Sequence, residues 1–104
     1  MEDGLIINVI AYQEGDTWIA QGIEFDIVAR ARTPDAVPEA FSKAVAKTIV
    51  VALELHGKPF AGIGKAPDRF QAMFDGAHAR LVPIVPLDFG NKDTRVDIRL
   101  ATAS

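Results

Sequence analysis

The chain has 104 residues and a mass of 11.2 kDa, enough for one hydrophobic core and too little for two. Apolar residues make up 49%, charged residues 24%, and the formal net charge is -3, which excludes both a highly charged disordered chain and a basic protein that binds nucleic acid by neutralising phosphates. With no cysteine, disulfides, thiolate nucleophiles and cysteine-based zinc or iron–sulfur sites are excluded as well.

Leu5 to Gln13 is rich in Ile and Val, and Thr17 to Ile23 resumes the pattern after Glu14-Gly15-Asp16. Two antiparallel strands joined by a Gly-containing turn are predicted. A third strand follows from Ile27 to Arg32, with Ile27, Ala29 and Ala31 on one face and Val28, Arg30 and Arg32 on the other. Val37, Phe41, Ala44, Val45, Thr48, Ile49, Ala52 and Leu53 then recur at spacings of three and four, the apolar stripe of a long amphipathic helix. Asp35 is the expected N-cap, which places Pro38 in the first turn, where its missing amide is harmless. His56, Gly57 and Pro59 form the expected stop.

Pro67 opens a short second helix that carries Phe70, Met73, Phe74 and Ala77 on one face, and Gly76 limits its length. A helix of about ten residues is marginal alone, so those aromatic side chains must dock on something. Leu81 to Leu87 contains Pro83 and Pro86, which restricts it to an edge strand or a polyproline-like tail. Asp88 to Asp93 reads as a turn. Thr94 to Ala101 alternates Val96, Ile98 and Leu100 with Arg95, Asp97 and Arg99, the period of a half-buried strand.

The expected fold is α+β: a three-stranded antiparallel meander packed on one long helix, followed by a short second helix and a C-terminal strand. One helix covers one face of such a sheet. The first strand is mostly apolar on both faces, with Leu5, Ile7, Val9 and Ala11 on one and Ile6, Ile10 and Tyr12 on the other. A second cover is therefore expected, either the Phe70-Phe74 helix with the C-terminal segment or a second subunit. In the latter case Ile6, Ile10 and Tyr12 are the expected dimer contacts, and a homodimer is the expected state. Glu2 and Asp3 stand where an export signal carries positive charge. Thr48 to Leu55, the most apolar internal stretch, falls far short of the ~20 residues that span a bilayer. A cytoplasmic location away from membranes is expected.

The segment from Trp18 to Ala40, WIAQGIEFDIVARARTPDAVPEA, combines a Trp in the second strand, Glu-x-Asp-Ile leading into the third, and a Thr before the helix. It resembles HicB-like proteins. The resemblance implies a partial ribonuclease H-like β-β-β-α-β domain and, by the best-known members, an antitoxin that neutralises a small HicA ribonuclease toxin. APDRFQAMFDGA is similar to the helix that follows this domain in a subgroup with no assigned activity. The match runs from Leu5 to Ala79, which divides the chain into a HicB-like domain with its appended helix over 1–79 and an extended segment with a strand over 80–104. Phe25-Asp26-Ile27 replaces the Pro-Gly-Cys common before the third strand of these antitoxins. After Ala79 there is no basic recognition helix, so DNA binding is not expected.

Glu24 and Asp26 are two residues apart, and an extended backbone would send both carboxylates to one side, as a metal-dependent nuclease requires. Ribonuclease H chemistry needs a larger carboxylate set, so solvated turn charges or a partner-contact surface are the alternatives. Arg30 and Arg32, expected beside Trp18, suit an acidic protein patch or RNA bases, against the alternative of a solvated outer face. His56 and His78 lack a second ligand at helical spacing, the glycines at 57, 62 and 64 lack phosphate-loop spacing, and Ser42 and Ser104 have no neighbouring base. The expectation is a non-enzymatic protein-interaction domain without cofactor or metal. Its partner contacts are Trp18, Glu24, Asp26, Arg30 and Arg32, and its partners are a second copy and a small basic toxin-like protein. A small-molecule-binding or accessory domain is the alternative, with its ligand between the sheet and the Phe70-Phe74 helix.

Overall fold

A computed structural model describes residues 5–58, 62–77, 79–80, 85–89 and 92–101. The fold is α+β, a mixed sheet with a long helix after its first three strands. Strands β1 (Leu5–Glu14) and β2 (Thr17–Gly22) form the predicted hairpin. Gly15 has a φ of 64° and Asp16 a negative φ, the pattern of a type II′ turn, whose twist matches that of the flanking strands. β2 pairs antiparallel with β3 (Val28–Ala31), shorter at both ends than the periodicity suggested; before its start Gly22 N–H bonds Ile27 O and closes a tight loop over 23–26.

Helix α1 (Val37–His56) starts differently from expectation. Pro34–Ala36 forms a single 3-10 turn, so Asp35 lies inside that turn, and Ala36 is the N-cap without a side-chain capping bond. Pro38 occupies the first helical turn, as its missing amide requires. At the other end Gly57 adopts the left-handed conformation, φ 74°, and its N–H bonds Leu53 O at 2.9 Å. Pro59 lies outside the described residues. The second helix, α2 (Asp68–Gly76), begins directly after Pro67.

The remaining strands are β4 (Ala79–Arg80), β5 (Val85–Phe89) and β6 (Lys92–Leu100). β6 begins two residues before the predicted Thr94, because Phe89 pairs with Lys92 and shortens the expected turn. Pro86 is accommodated in β5, which pairs with β6 alone among the described strands. The rest of the Leu81 to Leu87 expectation, over 81–84, lies outside the described residues. The sheet order is β3-β2-β1-β6, with β4 and β5 both on the far side of β6. β6 runs parallel to β1 and pairs with it from Leu5↔Thr94 to Ala11↔Leu100. The C-terminal segment thus contributes a strand to the middle of the sheet.

Two apolar layers flank this sheet. On one face Ile7, Val9, Ala29, Val96 and Ile98 meet the α1 stripe of Val37, Phe41, Val45 and Ile49. On the other, α2 and the Ala77 that follows it place Phe70, Phe74 and Ala77 over Ile10 and Ile23, and the Tyr12 and Phe70 rings stack 6.1 Å apart. Arg99 holds α2 to β6: its guanidinium lies 4.2 Å from the Phe74 ring centroid and donates to the Phe74 and Ala77 carbonyls. These contacts supply the docking that so short a helix needs. Among the described residues no helix is long and apolar enough to cross a membrane.

Candidate functional site

The loop between β2 and β3 carries both candidate carboxylates. β2 leaves the ladder at this point, with Ile23 N–H bonded to Asn8 O as its last contact with β1. The Asn8 amide, which points toward β2, is left without a main-chain acceptor. Glu24 takes its place: Oε1 accepts from Asn8 N–H at 2.8 Å and Oε2 from Asn8 Nδ2 at 2.7 Å. Asp26 accepts from Gln21 Nε2 at 2.8 Å, and the same amide also donates to Gly22 O. The two carboxylates are therefore committed to different neighbours. Among the described residues no group of three or more His, Asp or Glu side chains could hold a metal ion.

The loop also ties the connector between the helices to the sheet. Asp26 N–H bonds Gly64 O at 2.8 Å, and Ala66 N–H bonds Ile23 O at 3.0 Å. Anchoring 64–66 this way aims the chain around the sheet to α2 on the opposite face. Replacing Glu24 with Ala is expected to cost about 2 kcal/mol, because two charge-assisted bonds are lost and a part-buried strand amide is orphaned. Urea unfolding at unchanged m measures it; a loss under about 0.5 kcal/mol would make these bonds incidental.

The other candidates separate. Arg30 is exposed on the face away from α1, and Arg32 is exposed just beyond the end of β3. Trp18 pairs with Ala31 and packs half-buried against the α1 layer, so alternation puts it on the face opposite Arg30, and the expected grouping of Trp18 with the arginines is not formed. Neither Arg30 nor Arg32 enters an ion pair among the described residues. Of the expected dimer contacts, Ile10 is fully buried beneath α2, Tyr12 is half-buried against Phe70, and Ile6 is exposed. His56 lies at the C-terminal end of α1 beside Gly62, and His78 lies outside the described residues.

One surface was not expected from the sequence. Leu53, which the periodicity placed in the apolar stripe of α1, is exposed on the last two turns of the helix together with Val50, Val51 and Leu55. The signal was present in the string Thr48-Ile49-Val50-Val51-Ala52-Leu53, which is apolar over a wider arc than one buried stripe can use. Beside Val51 and Leu55 lies an open cavity of about 360 Å³, floored by Thr48 and Ala52 and bounded by Lys47, His56 and Ile63. The cleft expected between sheet and α2 is filled by the aromatic layer, which leaves a shallow hollow of about 240 Å³ at Met73, Gly76 and Ala101. Comparison with known protein families, with curated proteins and with solved structures finds no match.

Proposed function

We propose that the chain is a HicB-like protein-interaction domain that neutralises a small basic protein, antitoxin-like, by covering its active surface. The observation that carries this reading is the connectivity: three strands, a long helix, and a later strand returning parallel beside the first. The β-β-β-α-β order implied by the resemblance at Trp18 to Ala40 is compatible with this connectivity when α2 and the β4–β5 arm are counted as additions. Two further observations support a binding role over a hydrolytic one. Glu24 and Asp26 are held in separate structural bonds, and Arg30 and Arg32 remain open to solvent without ion-pair partners among the described residues.

The test is to look for a reading frame for a small basic protein beside that of this chain and to co-express the two. A stoichiometric complex that suppresses the partner's ribonuclease activity is the expected result, and no complex, or a complex without suppression, overturns the proposal. The cavity beside Val51 and Leu55 favours the alternative of a small-molecule-binding domain. That reading would gain from a ligand that raises the unfolding temperature of the chain in the absence of any protein partner.

A further inference from the structure

The cavity beside α1 is a trough whose two ends differ in chemistry. The connector between the helices is fixed to the β2–β3 loop through Gly64 O and Ala66 N–H. Its Ile63 supplies one wall, and Val51 and Leu55 supply another from the helix. Thr48 and Ala52, one helical turn apart on the floor, are too small to fill the space between. At the C-terminal end of α1 the His56 ring lies so close to Gly62 that a methyl group placed there would stand 3.1 Å from Nε2. Ring and connector close the trough at that end. At the other end stands Lys47.

The polar groups in this apolar trough are few, and none is negative. Among the described lining residues Lys47 supplies an ammonium group, Thr48 a hydroxyl and His56 an imidazole, and there is no carboxylate. Lys43 and Lys65 are paired with Glu39 at 3.5 Å and with Asp68 at 3.2 Å, whereas Lys47 enters no ion pair among the described residues. Its charge is available to a ligand. The Thr48 hydroxyl, one residue on, can donate to the same acceptor. A carboxylate at the opposite end would face the unpaired carbonyls and negative dipole end of α1. The trough therefore favours an anionic group at Lys47 and an apolar one everywhere else.

We infer that the trough binds a slender apolar carboxylate of the medium-chain fatty-acid class, its head at Lys47 and Thr48 and its tail along Ala52 and Leu55 toward His56. The dimensions set the chain length. α1 advances about 12 Å from Thr48 to His56 at its usual rise, and an extended chain of about ten carbons covers that distance at roughly 1.5 Å per bond along its zigzag. A volume of about 360 Å³ is at the small end of the roughly 300–1,000 Å³ of ligand sites. It has room for one such chain and too little for a two-chain lipid. The inference rests on the small-molecule reading and leaves the antitoxin-like one untouched.

Titration of the full chain with decanoate, below its micellar concentration and at low salt, reads the outcome through amide shifts in two-dimensional NMR. Saturable shifts are expected at Thr48, Ala52 and Ile63. Decylammonium should bind about fivefold or more weakly, a preference that added salt shrinks because Lys47 is exposed and its field is screened. Lys47→Glu should reverse that preference. Leu55→Asp, at a position 71% exposed, should weaken decanoate binding about tenfold or more. Leu53 lies about 200° around the helix from Leu55 and is 45% exposed, so Leu53→Asp should leave binding unchanged. All three positions are open in the free chain, and all three variants are expected to fold. Decylammonium bound as tightly as decanoate, or an unchanged preference in Lys47→Glu, overturns the inference and leaves the small-molecule reading standing. Equal losses from Leu53→Asp and Leu55→Asp would mean adsorption to exposed apolar surface and overturn it as well. No saturable shift at the trough with either amphiphile overturns the inference and removes the cavity as support for that reading.

Discussion

Phe41→Ala is expected to lower stability by about 3–5 kcal/mol, a large share of the roughly 5–15 kcal/mol that holds a domain together. Phe41 is among the largest side chains with no solvent exposure, and it sits in the layer that joins α1 to the sheet. Its ring reaches so far down that a methyl group placed on Gly22 would lie 3.3 Å from Cζ. Removing the ring leaves a cavity bounded by helix backbone above and sheet backbone below, neither of which can collapse into it cheaply. Urea unfolding should show a lower midpoint at unchanged m. A loss below about 1.5 kcal/mol would mean that α1 settles onto the sheet and that the layer is far softer than its packing suggests.

The parts of this fold that could be read in the sequence are those fixed by local chemistry. The hairpin follows from Gly15 between two β-rich runs, the end of α1 from Gly57, and the buried stripe from Val37, Phe41, Val45 and Ile49, all of which the structure places as expected. The 3-10 turn before α1 was not legible, because Asp35 is an equally good N-cap until the tertiary path decides where the helix begins. Pairing across long sequence distances was less legible still. Nothing near Thr94 to Leu100 says that this strand runs parallel to β1, since period-two alternation is the same for either direction and either neighbour.

The candidate site divides along the same line. That Arg30 projects away from α1 followed from alternation, and it does so, while Arg32 is exposed just beyond the end of β3. That Glu24 would complete the hydrogen bonding of Asn8, sixteen residues earlier, depends on where β2 leaves the ladder, and that is set by the closure of the loop at Gly22 and Ile27. Trp18 was placed beside the arginines because the two strands are neighbours. Its face, however, follows from the register Trp18↔Ala31, which puts it with the α1 layer. The exposed flank of α1 was hidden for a different reason. A stripe search asks whether enough apolar residues exist to cover a core and does not ask whether there are too many, and Val51 and Leu55 are the excess.

Gly22→Ala tests the loop on which those placements depend, and it is expected to destabilise by about 3 kcal/mol, at the upper end for added core volume. The new methyl would lie 2.6 Å from Phe25 O and 3.4 Å from Ile27 O in addition to its contact with Phe41. The first of these is a main-chain oxygen that already accepts from Ile27 N–H at 2.8 Å, so it cannot retreat without opening the turn. Moving it displaces Glu24 and Asp26 on either side, and with them the bonds to Asn8, Gln21 and Gly64. The amides of Asp26 and Ala66 should therefore lose hydrogen-exchange protection together, while those in the middle of α1 keep most of theirs. Combining Gly22→Ala with Phe41→Ala separates the two contacts. Phe41→Ala removes the clash with the ring and leaves the clash with the carbonyl, so the double variant should cost less than the sum of the singles by about 1 kcal/mol and no more than about 2. Complete rescue of the glycine effect by Phe41→Ala would locate the strain in the ring contact and show that the loop over 23–26 can absorb a side chain at its entrance.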